Sequence, residues 1–406
     1  VSPHRLPASA LLAIGRGAAD VPTLLAAARG RVSRTWLLLK AIVVLAEERS
    51  HPGAAAAADA LAALRGLSAT EVLRYPEVSS WASATVRRLM GPDWVTARVD
   101  RLAVLPAVAA VSGGTDVEVS VRADPEVRLP GLGRFVLPSP GQTTIVVRAG
   151  VAGVAGADWR PVTRIGLDDP VWSVALDDMS DVSGPDHGLG GVLPAESWES
   201  VLRAGWWVLD DHPGVADTVA ALVRTLVPLP HSTSGPVSAA LTTAFGAIAL
   251  VRPTSGVAFA LTLAHESRHV AITAVADLFP LFKDGGEAVF YAPWRSDPRP
   301  AFGVLHGIHA HLGVARFWAR RLAVGADPAI AEIELARWRS AASLALDALT
   351  SAAEPTEAGS LLLTGMADEA AELADIPVSA TARAEADTRN HAHLARWEHA
   401  HGPAPR

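Results

Sequence analysis

The chain has 406 residues, a formal net charge of −7, no cysteine, and half of its residues hydrophobic. A chain of this length can bury more than one core. The absence of thiols excludes disulfides, thiolate and iron–sulfur metal sites, and cysteine nucleophiles. The acidic balance leaves no basic footprint for nucleic acid and no polybasic patch for a membrane surface.

The opening residues, "VSPHRLPASALLAIGRGAAD", have no charged region followed by a long apolar stretch and do not read as a signal peptide. Apolar runs such as "VLPAVAAV" at 104–111 are too short to span a bilayer. The expectation is a soluble cytoplasmic protein, with the oligomeric state left open. Residues 1–112 carry apolar residues at helical spacing between "GRG", "HPG", "RYPE" and "MGPD" breaks, and form an N-terminal helical region. Residues 113–185 change to short, alternating, valine-rich runs between Gly, Pro and Asp turns, which predicts an antiparallel β subdomain. Residues 186–406 return to helical patterning from about 195, including "PGVADTVAALVRTLVPL", and "VSAALTTAFGAIAL" reads as a strand pair. The fold class expected is α+β, mainly helical, with a zincin-like HExxH metal helix in the C-terminal half.

That helix, at roughly 256–283, contains "LAHESRHVA". Four helical residues turn through about 400°, so His265 and His269 project from one line of one face, and Glu266 can reach a water bound to a shared metal. The surrounding "VAFALTLAHESRHVAITAVADLFPLF" is apolar nearly all round, which buries the three polar side chains. Buried polar groups without partners cost a few kcal/mol each, about 1–3 on mutational scales, and a metal accounts for all three at once. Surface histidines on an ordinary helix are the plainer reading of the motif taken alone.

A third ligand must come from elsewhere. Ile272 and Val275 stand where a metzincin would place glycine and histidine, which rules out that class. Glu287 lies in a Gly-Gly loop without helical context. "LHGIHAH" offers His306, His309 and His311 on a second long helix. His306 and His309 lie about 60° apart around it, whereas His311 points roughly opposite His306. Gly303 and Gly307 thin one face for close packing against the metal helix, and His306 lies on that face, so His306 is the choice. Three histidines with open positions suit catalytic zinc or non-haem Fe(II) equally. The preceding "YAPWRSDPRP" sets Arg295 and Arg299 near the site, and arginine forks match carboxylates. Pairing with Asp297 is their structural alternative, and Arg299, seven residues before His306, is preferred.

The chain resembles the 2-oxoglutarate-dependent HExxH-type peptide β-hydroxylases, the HExxH-motif proteins of ribosomal-peptide modification clusters. The likeness rests on "HRLP" near the start, "LDDMSD" at 176–181, "HSTSGPVSAALTTAFGAIAL", "LAHESRH" and above all "YAPWRSDPRPAFGVLHGIHAHLGVARFW". It covers most of the chain. Arg268 stands where many members carry glutamine, and "LDDMSD" replaces the more usual "LDDLDP"; these departures bear on ligand support and substrate choice. The resemblance implies Fe(II), 2-oxoglutarate and dioxygen, hydroxylation at the β-carbon of a residue in a ribosomally made precursor peptide, and a Glu266 that orients a ligand or bound water rather than acting as a hydrolytic base. A zinc-dependent peptidase acting on such a peptide is the alternative, with a non-catalytic peptide-binding scaffold behind it.

Other polar groupings read as structural. Asp177, Asp178 and Asp181 form a solvated turn or helix cap in preference to a second cation site. His391, His393, His399 and His401 sit on a solvent-facing tail helix. "GLGG" at 188–191 lacks a phosphate loop's lysine and setting, and "HSTSG" at 231–235 has no nucleophile-elbow pattern.

Overall fold

The computed structural model describes residues 4–168, 171–179, 195–230, 237–283 and 289–404. The fold is α+β and about 59% helical. The N-terminal region contains α1 (Ala8–Gly15), α2 (Val21–Glu48), α3 (Ala54–Arg65), α4 (Thr70–Arg74), α5 (Pro76–Met90) and α6 (Leu105–Gly113). The start of α2 is specified locally: Asp20 accepts from the Thr23 amide and a proline occupies the first turn, where no amide is needed.

Six short strands follow, β1 (Val117–Ala123), β2 (Glu126–Leu129), β3 (Gly133–Val136), β4 (Gly141–Arg148), β5 (Val151–Val154) and β6 (Asp158–Pro161). They make two antiparallel three-stranded sheets, ordered β1-β4-β5 and β2-β3-β6. Their inward residues share a core with α2 through α6.

The next hairpin, β7 (Thr163–Asp168) and β8 (Val171–Leu176), belongs to a different sheet. After α7 (Ala195–Leu209) and α8 (Pro213–Leu222) come β9 (Thr225–Leu229), β10 (Ser238–Ala240) and β11 (Ala247–Val251). Together these strands form a five-stranded mixed sheet in the order β10-β11-β9-β8-β7, parallel across β11-β9 and β9-β8. The expected helical continuation through "TLVPL" is therefore a strand. Its first four residues are buried, as an interior parallel strand requires, so it shows no alternation to betray it. Pro228 is tolerated there because β8 pairs with β9 only as far as Leu226.

The site region follows: α9 (Gly256–Ala276), the small hairpin β12 (Val289–Phe290) and β13 (Arg299–Pro300), α10 (Ala301–Ala323), α11 (Pro328–Ala352), α12 (Glu357–Ala374) and α13 (Ala380–His401). Ser255 caps α9 by accepting from the Ala258 amide. The mixed sheet, α1 and α7 through α12 share the larger core. No helix among the described residues is long and apolar enough to cross a membrane.

A buried ionic cluster ties the two cores together. Arg101 donates to Glu77 at 2.7 Å, and Arg128 reaches Glu77, Asp177 and Asp178 at 3.4, 2.8 and 2.6 Å. Arg134 adds a contact to Asp178 at 3.1 Å, and the Tyr75 hydroxyl donates to Asp177. Burial pushes the Glu77 carboxyl up against the pull of Arg101 and Arg128. Burial would raise Asp178 too, but Arg128 and Arg134 hold it below its ordinary value. Asp177 and Asp178 are thus neither a solvated turn nor an open cation site, because arginines already fill the space between them. Asp181 lies outside the described residues.

Candidate metal centre

The spacing in "HESRH" does what helical geometry requires. His265 and His269 stand one turn apart on α9 with their Nε2 atoms 3.2 Å apart. Two metal–nitrogen bonds of about 2.0–2.1 Å put their nitrogens about 3.3 Å apart at a tetrahedral angle and about 2.9 Å apart at a right angle. The pair is therefore already at chelating distance. Without a cation, one Nε2 must carry a proton, or two lone pairs would face each other. His265, Glu266 and His269 are the group, among the described residues, whose ligand atoms all lie within 4.8 Å of one another.

Glu266 is buried and both carboxylate oxygens are engaged. Oε1 accepts from the Ser238 hydroxyl at 2.7 Å and Oε2 from the Ala240 amide at 2.6 Å. Both residues lie on β10, the edge strand of the mixed sheet, so the carboxylate pins the metal helix to that edge. Its Oε1 is also 4.0 Å from His265 Nε2.

The three histidines of α10 divide between two faces. His306 stacks on His269 with ring centroids 5.7 Å apart, and its Nε2 is buried with no hydrogen-bond partner. His311 meets His265 edge to face at 5.0 Å. Its Nδ1 donates to the Gly307 carbonyl at 2.8 Å, which leaves Nε2 as the ring's lone pair. His309 turns away from the pair; its ring nitrogens lie 3.1 and 2.8 Å from the carbonyls of Arg268 and Ile14. The expectation that His311 points away from the site is corrected here. Side chains 140° apart on α10 reach α9's histidine pair from either side of the contact, whereas the sector of His309 meets Arg268.

Burial depresses all of these imidazoles. His265 falls below its ordinary value despite Glu266, His269 and His311 fall well below, and His306 is pushed down to about 4. Neutral imidazole is the ligand form. The donor set, one Nε2 pair at chelating distance and an orphaned third Nε2 beside it, fits a divalent transition metal. Neither His306 nor His311 joins the 4.8 Å group, so a third bond requires a shift of one of those rings.

The glycines of α10 serve differently from expectation. A Cβ on Gly307 would strike the Trp294 indole at 2.3 Å, and one on Gly303 would approach Arg299. The thinned face therefore receives the "PWR" loop. The close approach to the metal helix falls instead at Gly313, where a Cβ would lie 3.1 Å from the Ala264 carbonyl oxygen. Trp294 stacks on His311 at 4.4 Å with an interplanar angle of 16°, and Trp338 from α11 tilts against the same ring at 4.7 Å. Phe302 covers His306 at 4.4 Å. Periodicity singled out neither these aromatic walls nor Ser238; a tryptophan between two prolines was the one available signal.

Arg295 and Arg299 both bond Asp297, at 2.9 and 3.0 Å, and all three side chains are partly exposed. Arg268 forms a bidentate pair with buried Glu369 at 2.9 and 2.8 Å. The C-terminal helix is no free tail. Its Trp397 is buried, His393 Nδ1 lies 2.8 Å from the Tyr291 hydroxyl, and His401 Nε2 donates to the Ser296 carbonyl. His391 and His399 are exposed. Glu287, "GLGG" and "HSTSG" lie outside the described residues. No protein-family model matches the chain, and no curated protein matches it.

Proposed function

We propose that this protein is an Fe(II)- and 2-oxoglutarate-dependent oxygenase that hydroxylates the β-carbon of a residue in a ribosomally synthesised precursor peptide, as its resemblance to the HExxH-type peptide β-hydroxylases implies. One observation carries the choice over hydrolysis: Glu266 has both oxygens committed to Ser238 and Ala240. Each oxygen keeps a second lone pair, but the two bonds hold the carboxylate against the edge strand. That suits an orienting role better than that of a base free to turn toward an attacking water. Here the carboxylate instead fixes the orientation of the helix that presents the histidines.

His265, His269 and His306 would hold the iron, which supplies oxidative decarboxylation of 2-oxoglutarate coupled to C–H oxidation when bound. Trp294 covers the His311 ring and Phe302 packs on His306, and the Nδ1–H bond from His311 to Gly307 fixes the His311 ring. Arg299 would take the distal carboxylate of 2-oxoglutarate after exchanging its contact with Asp297, with Arg295 left to hold that aspartate. The zinc peptidase reading draws on the 4.0 Å separation of Glu266 from His265.

The test is anaerobic titration with Fe(II) and 2-oxoglutarate, followed by admission of oxygen. The expected results are one iron per chain, a charge-transfer absorption on adding 2-oxoglutarate, and succinate after oxygen is admitted. His306→Ala should lose the iron while His309→Ala keeps it. Arg299→Ala should keep the iron and raise the 2-oxoglutarate requirement by about tenfold or more. Zinc-dependent cleavage of a peptide without consumption of 2-oxoglutarate would overturn the oxygenase reading. Peptide binding without either reaction would favour the scaffold.

A further inference from the structure

A cavity of about 430 Å³ opens behind α9, on the side away from His265 and His269, with His212 and His309 among its lining residues. Its floor includes Ser267 and Ala271, which project from the face of α9 opposite His265 and His269. The volume is that of a small-molecule site. Ile14, Leu24 and Val215 supply apolar wall.

The polar lining favours one sign of charge. Arg268, Arg316 and Arg320 face the cavity against a single carboxylate, Asp211. Glu369 neutralises Arg268, and Glu369 and Glu372 neutralise Arg316. Arg320 differs. Its Nε donates to the Asp211 backbone carbonyl at 2.8 Å, while its terminal nitrogens have no partner among the described residues. Gly214, in the first turn of α8, also lines the space, and nothing lies within 4 Å of where its Cβ would be. An amide at that position has no acceptor within its own helix, and the His212 side chain does not cap α8. Arg320 and Gly214 are both exposed, so they stand at the rim.

We propose that this cavity is a second ligand site, taking a small amphipathic carboxylate with its apolar body inside and its carboxylate at the rim on Arg320 and the Gly214 amide. The site is separate from the metal centre and does not depend on what that centre catalyses.

Benzoate is the probe, with benzyl alcohol as its uncharged counterpart, titrated calorimetrically into metal-free protein at low salt. Benzoate should bind one per chain with a dissociation constant of about 1 mM or lower. The alcohol and the Arg320→Ala variant should each bind about tenfold more weakly. Thr218→Trp, which fills the cavity from its wall, should abolish binding while keeping the helical circular dichroism. His265→Ala should bind benzoate as the wild type does, which separates this site from the metal centre. Equal affinity for acid and alcohol, unchanged binding in Arg320→Ala, or loss of binding in His265→Ala would each overturn the proposal. Arg320 is exposed, so its variant decides the matter even if the tryptophan variant fails to fold.

Discussion

Two regions bury polar side chains, and they do so in opposite ways. Around Asp177, each buried carboxylate meets an arginine and the arginines come from separate elements, so the charges complete one another. Around His265, four imidazoles face one another, one Nε2 has no partner among the described residues, and the adjacent acid, Glu266, is bonded to β10. The first region is finished without a ligand. The second, on the reading proposed above, takes a cation. A closed polar network holds elements together, whereas an open one leaves polar atoms to which a ligand could bind.

The contrast breaks most sharply by removing one member from each side. Arg128→Ala leaves Asp177 and Glu77 buried with less countercharge and should cost about 3–5 kcal/mol in urea unfolding. His265→Ala in metal-free protein should cost less, about 1–2 kcal/mol, since it removes one neutral hydrogen bond and no countercharge. If the two variants were equally destabilising, the distinction would fail.

Acid sharpens it next. Burial holds His212 and His306 down to about 4, against an ordinary 6.5. Between those values the unfolded chain takes up protons that the folded chain refuses. Metal-free stability should therefore fall as pH drops from about 6.5 to about 4 and be level above that window, by at most about 3 kcal/mol per histidine. The arginine-held Asp178 adds its loss only at lower pH, below the ordinary carboxylate value of 3.8. Unfolding free energies measured at each pH for wild type and His212→Phe would separate these contributions, and the variant should be the less acid-sensitive.

Metal should close the gap from the other side. At a free concentration about a hundredfold above its dissociation constant, it stabilises by about 2.7 kcal/mol, and that gain should vanish in His269→Ala while persisting in His309→Ala. A smaller effect is expected at the aromatic wall. Trp294→Ala removes the ring stacked on His311 and opens space at Gly307, and should weaken metal affinity by about tenfold. An unchanged affinity would make that stack a matter of packing alone.

Much of this was legible in the sequence where the information is local. The helix α9, the strand pair β10-β11 and the long helix α10 announce themselves by their apolar patterning. The strand β9 did not, because a buried parallel strand shows no alternation and its valine and leucines continue the helical pattern before it. Within α10, angles measured from His306 described the helix correctly but not its neighbour, so they sent His311 away from a site it touches. The β10 partners of Glu266 and the arginine partners of Asp177 and Asp178 lie 26 or more residues away in the chain, and no spacing rule reaches them.

The clasp on the "PWR" loop bears on the order in which the molecule is made. Tyr291 and Ser296 are held from His393 and His401, 102 and 105 residues later. Closure over such a distance is slow relative to helix formation. In a chain emerging from its amino end, α9 and α10 can pair, with His265, His269 and His306 together, well before the last helix arrives to seat the loop. Assembly of the histidines and closure of the loop over them are then separate events in time. The growing chain passes through an interval in which its histidines are assembled but still open to solution.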